Sequence, residues 1–123
     1  MANPNIVNVV TINGNTAVVG PVGTSGNVIL SNAVSSATVY KVDNLVITNI
    51  SANTASFNVM YSAAAAGAGA NTYLAYQFTV PPSAAMIVVD KSTAFYLTEN
   101  TSVIVQANTA STLHAMMSYE QIS

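Results

Sequence analysis

The chain has 123 residues, which is enough for one domain with its own hydrophobic core but too few for two. Half of the residues are apolar, which argues against a disordered chain. The sequence contains no run of about 18 apolar residues, the length that a membrane-spanning helix needs. Two lysines, no arginine and no cysteine disfavour nucleic-acid binding and exclude disulfides, thiolate catalysis and cysteine-based metal sites.

Residues 1–20 are predicted to form an N-terminal arm or hairpin in front of the main domain. Ile6–Ile12 is rich in β-branched residues, which favour strands, and it is followed by Asn13–Gly14, a pair typical of two-residue hairpin turns. Asn15–Val19 would be the return strand. Two alternatives stay open here. The arm pairs within its own domain through this hairpin, or it adds to the sheet of a neighbouring molecule.

Residues 21–123 are predicted to form one β-sandwich domain. Runs of β-branched and aromatic residues, many of them alternating with polar ones, are separated by turn-forming residues. Eight or nine strands and no helix of normal length predict a single-domain, all-β antiparallel sandwich of the jelly-roll or immunoglobulin-like type. The predicted strands of this domain are Val28–Leu30, Val39–Ile50, Ser56–Tyr61, Tyr73–Val80, Met86–Val89, Phe95–Leu97, Val103–Ala107 and Thr112–Ile122.

Val39–Ile50 is the longest of these strands. Strict alternation places Val42 and Val46 on one face, and it places Leu45 and Ile47 on the other. Apolar residues on both faces predict a strand that is central in its sheet or covered on both sides.

The stretch between Val80 and Asn108 is predicted to be an antiparallel meander. Its three strands, Met86–Val89, Phe95–Leu97 and Val103–Ala107, are joined by short polar turns. Chains of this kind usually pair each strand with the next one along the sequence.

The low-complexity stretch Ser62–Asn71, with the sequence SAAAAGAGAN, is predicted to be a flexible loop between two strands. Alanine favours a helix, but each of the two glycines costs a helix about 1 kcal/mol. The stretch also lacks the lysine and the following helix of a phosphate-binding loop.

No side chain is predicted to act in catalysis or to bind a cofactor or a metal ion. His114 is the only histidine, and its place beside Met116 on a strand predicts a surface or interface position. Asp90 and Glu99 flank a short strand and are interpreted as turn residues. The six tyrosines could stack on sugars, but most of them lie at alternating strand positions, which predict core packing instead.

The scarcity of charge allows two interpretations. The surface is either coated with neutral hydroxyl and amide groups, or much of it is buried in a permanent assembly, where charges are depleted. The second interpretation is favoured. The predicted interface is the apolar N-terminal stretch, because few charges guard its edge against pairing; its residues are Ile6, Val7, Val9, Val10 and Ile12.

Several different short motifs follow one another along the chain in a recognisable order. They are the opening Ala2–Val9, Val39–Val42 with Leu45–Asn49, Pro81–Pro82 with Ile87–Lys91, Tyr96–Asn100 with Ser102–Val103, and the closing Ser118–Ser123. Taken together, the set resembles a family of small virion structural proteins of tailed bacteriophages, especially marine and cyanobacterial ones.

This resemblance implies a component of the virus particle that is assembled in the host cytoplasm. The expected function is a capsid decoration or cement protein without enzymatic activity, bound to the major capsid protein or to other virion proteins. A symmetric homo-oligomer is expected, with a trimer favoured, and no binding of nucleic acid or membrane. A tail, neck or fibre component is the first alternative, and a carbohydrate-binding module or a small enzyme follows.

Overall fold

The computed structural model describes residues 11–65, 67 and 69–123. Within them lie nine strands and one short 3-10 helix, Lys91–Thr93, and every strand pairing is antiparallel. The predicted single-domain β-sandwich is therefore confirmed. The strands are β1 (Ile12–Val19), β2 (Asn27–Asn32), β3 (Val39–Asn49), β4 (Ala55–Ser62), β5 (Asn71–Val80), β6 (Ala85–Val89), β7 (Phe95–Leu97), β8 (Thr101–Ala107) and β9 (Leu113–Ile122).

The strands form two sheets that pack face to face. Sheet A has the order β1-β9-β3-β6, with β7 also paired to β3, and sheet B has the order β2-β8-β4-β5. One continuous core fills the space between the sheets, and burial of each large apolar side chain in it contributes about 1.5–3 kcal/mol. The largest fully buried side chains include Phe57, Leu45, Ile47, Leu97, Leu113 and Met117.

Two buried asparagines tie one sheet to the other. Asn32 of β2 donates hydrogen bonds to the carbonyl oxygens of Thr38 and Leu97, at 2.8 and 3.0 Å. Asn49 of β3 donates to the carbonyl oxygen of Val80 in β5 at 2.9 Å. A buried amide without partners would cost about 1–3 kcal/mol, so these bonds are what makes the burial of both side chains tolerable.

The central position predicted for β3 is confirmed, but the predicted assignment of its faces is wrong. Val42, Leu45 and Ile47 all lie in the core. The register with β9 shifts between Val42 and Asn44, so one extra residue is inserted there. Such a bulge moves every later side chain to the opposite face, which strict alternation from sequence cannot anticipate.

The predicted meander is also wrong. β6 and β7 do not pair with each other; both pair with β3, one after the other along the same edge, and β8 belongs to sheet B. The 3-10 helix between β6 and β7 redirects the chain. Asp90 caps this helix by accepting the backbone N–H of Ser92 at 2.9 Å, and Thr93 completes a capping box.

The predicted hairpin turn at Asn13–Gly14 is wrong as well. Both residues lie inside β1, which pairs with β9 in unbroken register from Ile12 opposite Ile122 to Val19 opposite Ala115. Residues 12–19 are thus part of sheet A and not of a separate arm, because they pair with β9 along the whole length of β1. Of the predicted interface, Ile6, Val7, Val9 and Val10 lie outside the described residues.

The Ala/Gly loop, residues 63–70, joins β4 to β5, and its described residues, 63–65, 67, 69 and 70, form no helix, as predicted. Its described residues are folded over the outer face of sheet B. The carbonyl oxygen of Ala64 accepts the hydroxyl of Ser102 at 2.7 Å, and the carbonyl oxygen of Ala65 accepts the hydroxyl of Ser31 at 2.7 Å. Gly67 has a φ of +77°, and a Cβ there would lie 3.1 Å from Ile104 Cδ1. Glycine is required at this position by both backbone conformation and space.

Candidate interaction surface

The outer face of sheet A carries a row of apolar side chains that crosses four strands. Val18 is opposite Met116, Met116 is opposite Val46, and Val46 is opposite Ile87. Directly opposed residues of antiparallel strands point to the same side, so these four side chains form one line, which we call the apolar row. Val18, Met116 and Ile87 are 68%, 53% and 64% exposed. Apolar surface of this kind, continuous across a sheet, is typical of interaction sites.

A shallow cavity of about 380 Å³ lies at the β1 end of the apolar row. Val18, Val46 and Met116 form its apolar wall, and His114 and Thr48 supply polar groups. His114 is exposed, and a Cβ at Gly20 would lie 3.2 Å from its ring, so Gly20 lets the chain pass close to the imidazole. The sequence prediction of a surface position for His114 is confirmed.

A second cavity of about 490 Å³ lies next to the apolar row and shares Val46 and Ile87 with it. Four of the six charged residues of the chain line this charged pocket, namely Lys41, Asp43, Asp90 and Glu120. Among the side chains that the structure describes, three acidic groups and one lysine line this pocket. An excess of acidic groups attracts basic groups.

The two acidic residues that flank β7 have separate structural roles. Asp90 caps the 3-10 helix, and the hydrogen bonds from the hydroxyl and the N–H of Ser92 lower the pKa of its carboxyl group. Glu99 accepts the backbone N–H of Ala37 at 2.6 Å and so connects two loops. Their interpretation as turn residues is confirmed.

The prediction that most tyrosines pack in the core holds for three of the six. Tyr40, Tyr61 and Tyr119 pack, partly buried, against the core, whereas Tyr73, Tyr76 and Tyr96 are exposed. Tyr73 and Tyr76 of β5 are exposed, with ring centroids 4.7 Å apart and planes at 71°. β5 is an edge strand whose pairing with β4 has two register shifts, and Gln77 has a φ of +53°. These irregularities rotate the side chains of β5 outward, which a regular alternation does not allow.

Tyr40 and Tyr119 form a second tyrosine pair, on sheet A. Their ring centroids are 5.3 Å apart, and both rings pack partly buried against the core. Burial, and then the neighbouring Tyr119, raise the pKa of the Tyr40 hydroxyl. The pair stabilises the sandwich and does not present its rings to a ligand.

Within the described ranges, no three His, Cys, Asp or Glu side chains are grouped so that they could hold a metal ion. The same residues include no helix long and apolar enough to cross a membrane. No protein family, curated protein or solved structure matches the chain. The surface itself must therefore carry the functional argument.

Sequence reasoning did not find the apolar row. Its members come from β1, β3, β6 and β9, and they become neighbours only through strand pairing. The sequence contains one weak signal, because strict alternation along β9 places Met116 on the same face as His114 and Ser118, opposite Leu113, Ala115 and Met117. What was missing was the register that aligns Met116 with Val18 and Val46.

Proposed function

We propose that this chain is a non-enzymatic virion structural protein of a tailed bacteriophage. It decorates the capsid by docking the outer face of sheet A on the lattice of the major capsid protein. The exposed apolar row carries this proposal, and the motif resemblance supports the assignment to a virus particle. Because the chain has few charges, burial of the apolar row by a partner is the main source of binding free energy in this proposal.

The energetics favour a contact that is larger than the apolar row. Full burial of one Val, Ile or Met side chain contributes about 1.5–3 kcal/mol, and the row is already partly buried. Association of two proteins costs about 4–15 kcal/mol in lost freedom. The row alone would hold a single copy weakly. Attachment of an oligomer through several identical sites overcomes this cost without any new kind of contact.

The charged pocket specifies the chemistry of the partner. Asp43, Asp90 and Glu120 outnumber Lys41, so the lattice surface opposite them presents a lysine or an arginine beside its apolar contact. Charges at the rim of an interface mainly set orientation and association rate. Weaker binding at higher salt is the expected consequence.

The N-terminal stretch supplies a second part of the contact in this proposal. Its apolar residues add as a strand to a sheet of the neighbouring protein, where backbone hydrogen bonds give affinity and side-chain pockets give register. The residues concerned are Ile6, Val7, Val9 and Val10, which precede β1 in the sequence. Deletion of residues 2–10 should therefore leave a folded sandwich that binds capsids less tightly.

The main test is cosedimentation of the purified chain with capsids from a phage that lacks the gene for it. The variant Ile87→Asp should fold normally but lose at least about tenfold in affinity, because it places a charge in the apolar row. Tyr76→Asp is the matched control, since Tyr76 is also more than half exposed and lies on sheet B. Equal binding of both variants would refute docking through sheet A.

The number of copies in the intact particle separates head from tail. A decoration protein occurs in many copies on the capsid, whereas a tail, neck or fibre protein occurs in few. Quantitative mass spectrometry of purified particles gives this number directly. A low copy number would move the proposal to the tail or neck.

Carbohydrate binding is the second candidate, and the exposed ring pair Tyr73–Tyr76 favours it. Aromatic rings on an accessible edge strand offer apolar faces to sugars. The rings are steeply inclined, so they do not form one flat platform. Binding to a glycan array that Tyr76→Ala abolishes would support this candidate over a purely structural role.

A further inference from the structure

The sheet edges of this protein are not equally protected against pairing. β2 has a register shift between Val28 and Leu30, and β5 has two shifts and the positive φ of Gln77. β6 pairs irregularly with β3 and is followed by Asp90, and β7 has only three residues. Bulges, short strands and charges are the usual devices that prevent edge-to-edge association.

β1 has none of these devices. It has eight residues, INGNTAVV, without proline or a charged side chain, and its register with β9 is unbroken. On its other edge, no strand of the described part of the chain is paired with it. A long, regular and uncharged edge strand is a template for another strand.

The direction of the free backbone groups follows from one pair of hydrogen bonds. Thr11 and Ser123 exchange both N–H···O bonds, at 2.8 and 3.0 Å. In an antiparallel ladder such pairs alternate, so the odd-numbered residues of β1 bond to β9. The even-numbered residues direct their N–H and C=O groups to the free edge; they are Ile12, Gly14, Thr16 and Val18.

The side chains of β1 show a matching pattern. Ala17 and Val19 pack against the core, so the even-numbered residues lie on the outer face. The two apolar residues on that face, Ile12 and Val18, are 56% and 68% exposed. They stand at opposite ends of the strand, at equal distance from Asn15.

We infer that β1 pairs in antiparallel orientation with β1 of a second copy of this chain, around a two-fold axis at Asn15. Ile12 then lies opposite Val18 of the second copy, and Gly14 lies opposite Thr16. All four edge-facing residues pair with one another, and each pair exchanges two N–H···O bonds. A shift by two residues would place Ile12 opposite Thr16, or Val18 opposite Gly14, and would lose the apolar contact.

The arrangement of the exposed residues of β1 identifies a second copy of this chain as the partner at its free edge. A strand with apolar residues placed symmetrically about its centre complements itself, and a two-fold contact of identical patches closes after two copies. With a formal net charge of only −2 for each chain, repulsion between the copies is small. The contact is two-fold, in place of the trimer expected from the sequence.

The pairing would join the two A sheets into one continuous sheet. Ile12 of the second copy would lie beside Val18, so each apolar row would be extended across the dimer axis. This inference goes beyond capsid decoration and does not depend on it, because it concerns the purified chain alone.

Cysteine cross-linking tests the register, since the natural chain has no cysteine. In the variant Asn15→Cys, the two new thiols would lie opposite each other at a non-hydrogen-bonded pair, where Cα atoms are about 4.5 Å apart, within disulfide reach. Asn13→Cys is the matched control. It is the same exposed residue type on the same strand, but its thiols would be about 13 Å apart.

Oxidation of purified protein should convert most of Asn15→Cys, but little of Asn13→Cys, to a covalent dimer on non-reducing gels. Equal cross-linking of the two variants, or preferential cross-linking of Asn13→Cys, would overturn the proposed pairing. The comparison holds as long as both variants keep the melting temperature of the natural chain.

Sedimentation equilibrium of the natural chain gives the second readout. We expect a monomer–dimer equilibrium, and Val18→Lys should raise the dimer dissociation constant by about tenfold or more. Val34→Lys is the control, because Val34 is similarly exposed in the loop between β2 and β3. A natural chain that stays monomeric at all concentrations, or a dimer that Val18→Lys leaves intact, would refute the inference.

Discussion

The two outer faces of the sandwich differ in how far their apolar side chains are exposed. On sheet B, Ile104 points away from the core, yet it is only 8% exposed because the Ala/Gly loop lies over it. On sheet A, Ile87 also points away from the core and is 64% exposed. Within the described residues, the Ala/Gly loop thus covers part of one outer face, and the apolar row on the other face stays exposed.

The difference in exposure between Ile104 and Ile87 distinguishes side chains that stabilise the fold from side chains that can bind a partner. An apolar side chain that the chain covers itself contributes to folding, whereas an exposed one contributes only when a partner buries it. The Ala/Gly loop, which from sequence is merely a flexible connection, is therefore a structural part of sheet B. The open face of sheet A is the surface available for association.

Replacement of the two isoleucines by alanine gives the largest expected contrast. Ile104→Ala should lower the free energy of unfolding by about 2–5 kcal/mol, because it leaves a cavity under the loop. Ile87→Ala should change it by no more than about 0.5 kcal/mol, as is usual for exposed positions. Urea denaturation of both variants measures the contrast. Similar losses would mean that the loop does not bury Ile104 in solution.

The Ala/Gly loop itself is tested by Gly67→Ala. The positive φ of Gly67 and the approach of its Cβ to Ile104 should cost about 1–3 kcal/mol of stability. Gly14→Ala is the control, since a Cβ at Gly14 meets nothing within 4 Å. Because alanine is better than glycine inside a strand, the control should gain up to about 1 kcal/mol. Thermal melting that ranks the two variants in the reverse order would contradict this account of the loop.

The smallest expected effect concerns pH and the charged pocket of sheet A. The folded-state pKa of Asp90 is below its ordinary value, so its contribution to stability is present above that value and is lost as the pH falls through the folded pKa. We expect a melting temperature that is nearly flat between about pH 5 and 9 and declines only in acid.

An NMR titration of the Asp90 carboxyl group tests the cause of this shift. Ser92→Ala removes the hydroxyl donor and should raise the pKa of Asp90 toward its ordinary value. Ser25→Ala, at an exposed serine in the loop between β1 and β2, should leave it unchanged. An Asp90 pKa that does not respond to Ser92→Ala would show that the Ser92 hydroxyl does not donate to this carboxyl group.

The sequence alone predicted the sandwich and the location of most strands, and the alternation along β9 separates its two faces. Leu113, Ala115 and Met117 alternate with polar or exposed residues and are all buried. These features were predictable because strand propensity and a period of two act over a few neighbouring residues. The loop between β4 and β5, whose described residues form no helix, follows from equally local rules.

Only the tertiary structure decided which strands pair and where the periodicity breaks. The bulge in β3 places Val42 in the core together with Leu45 and Ile47. Asn13–Gly14 lies inside a strand because it pairs with β9. Both β6 and β7 pair with the same edge of β3. The apolar row exists because pairing aligns four strands that are distant in sequence. Pairing and register are set by contacts between distant segments, and a single sequence gives local preferences without stating which distant partner satisfies them.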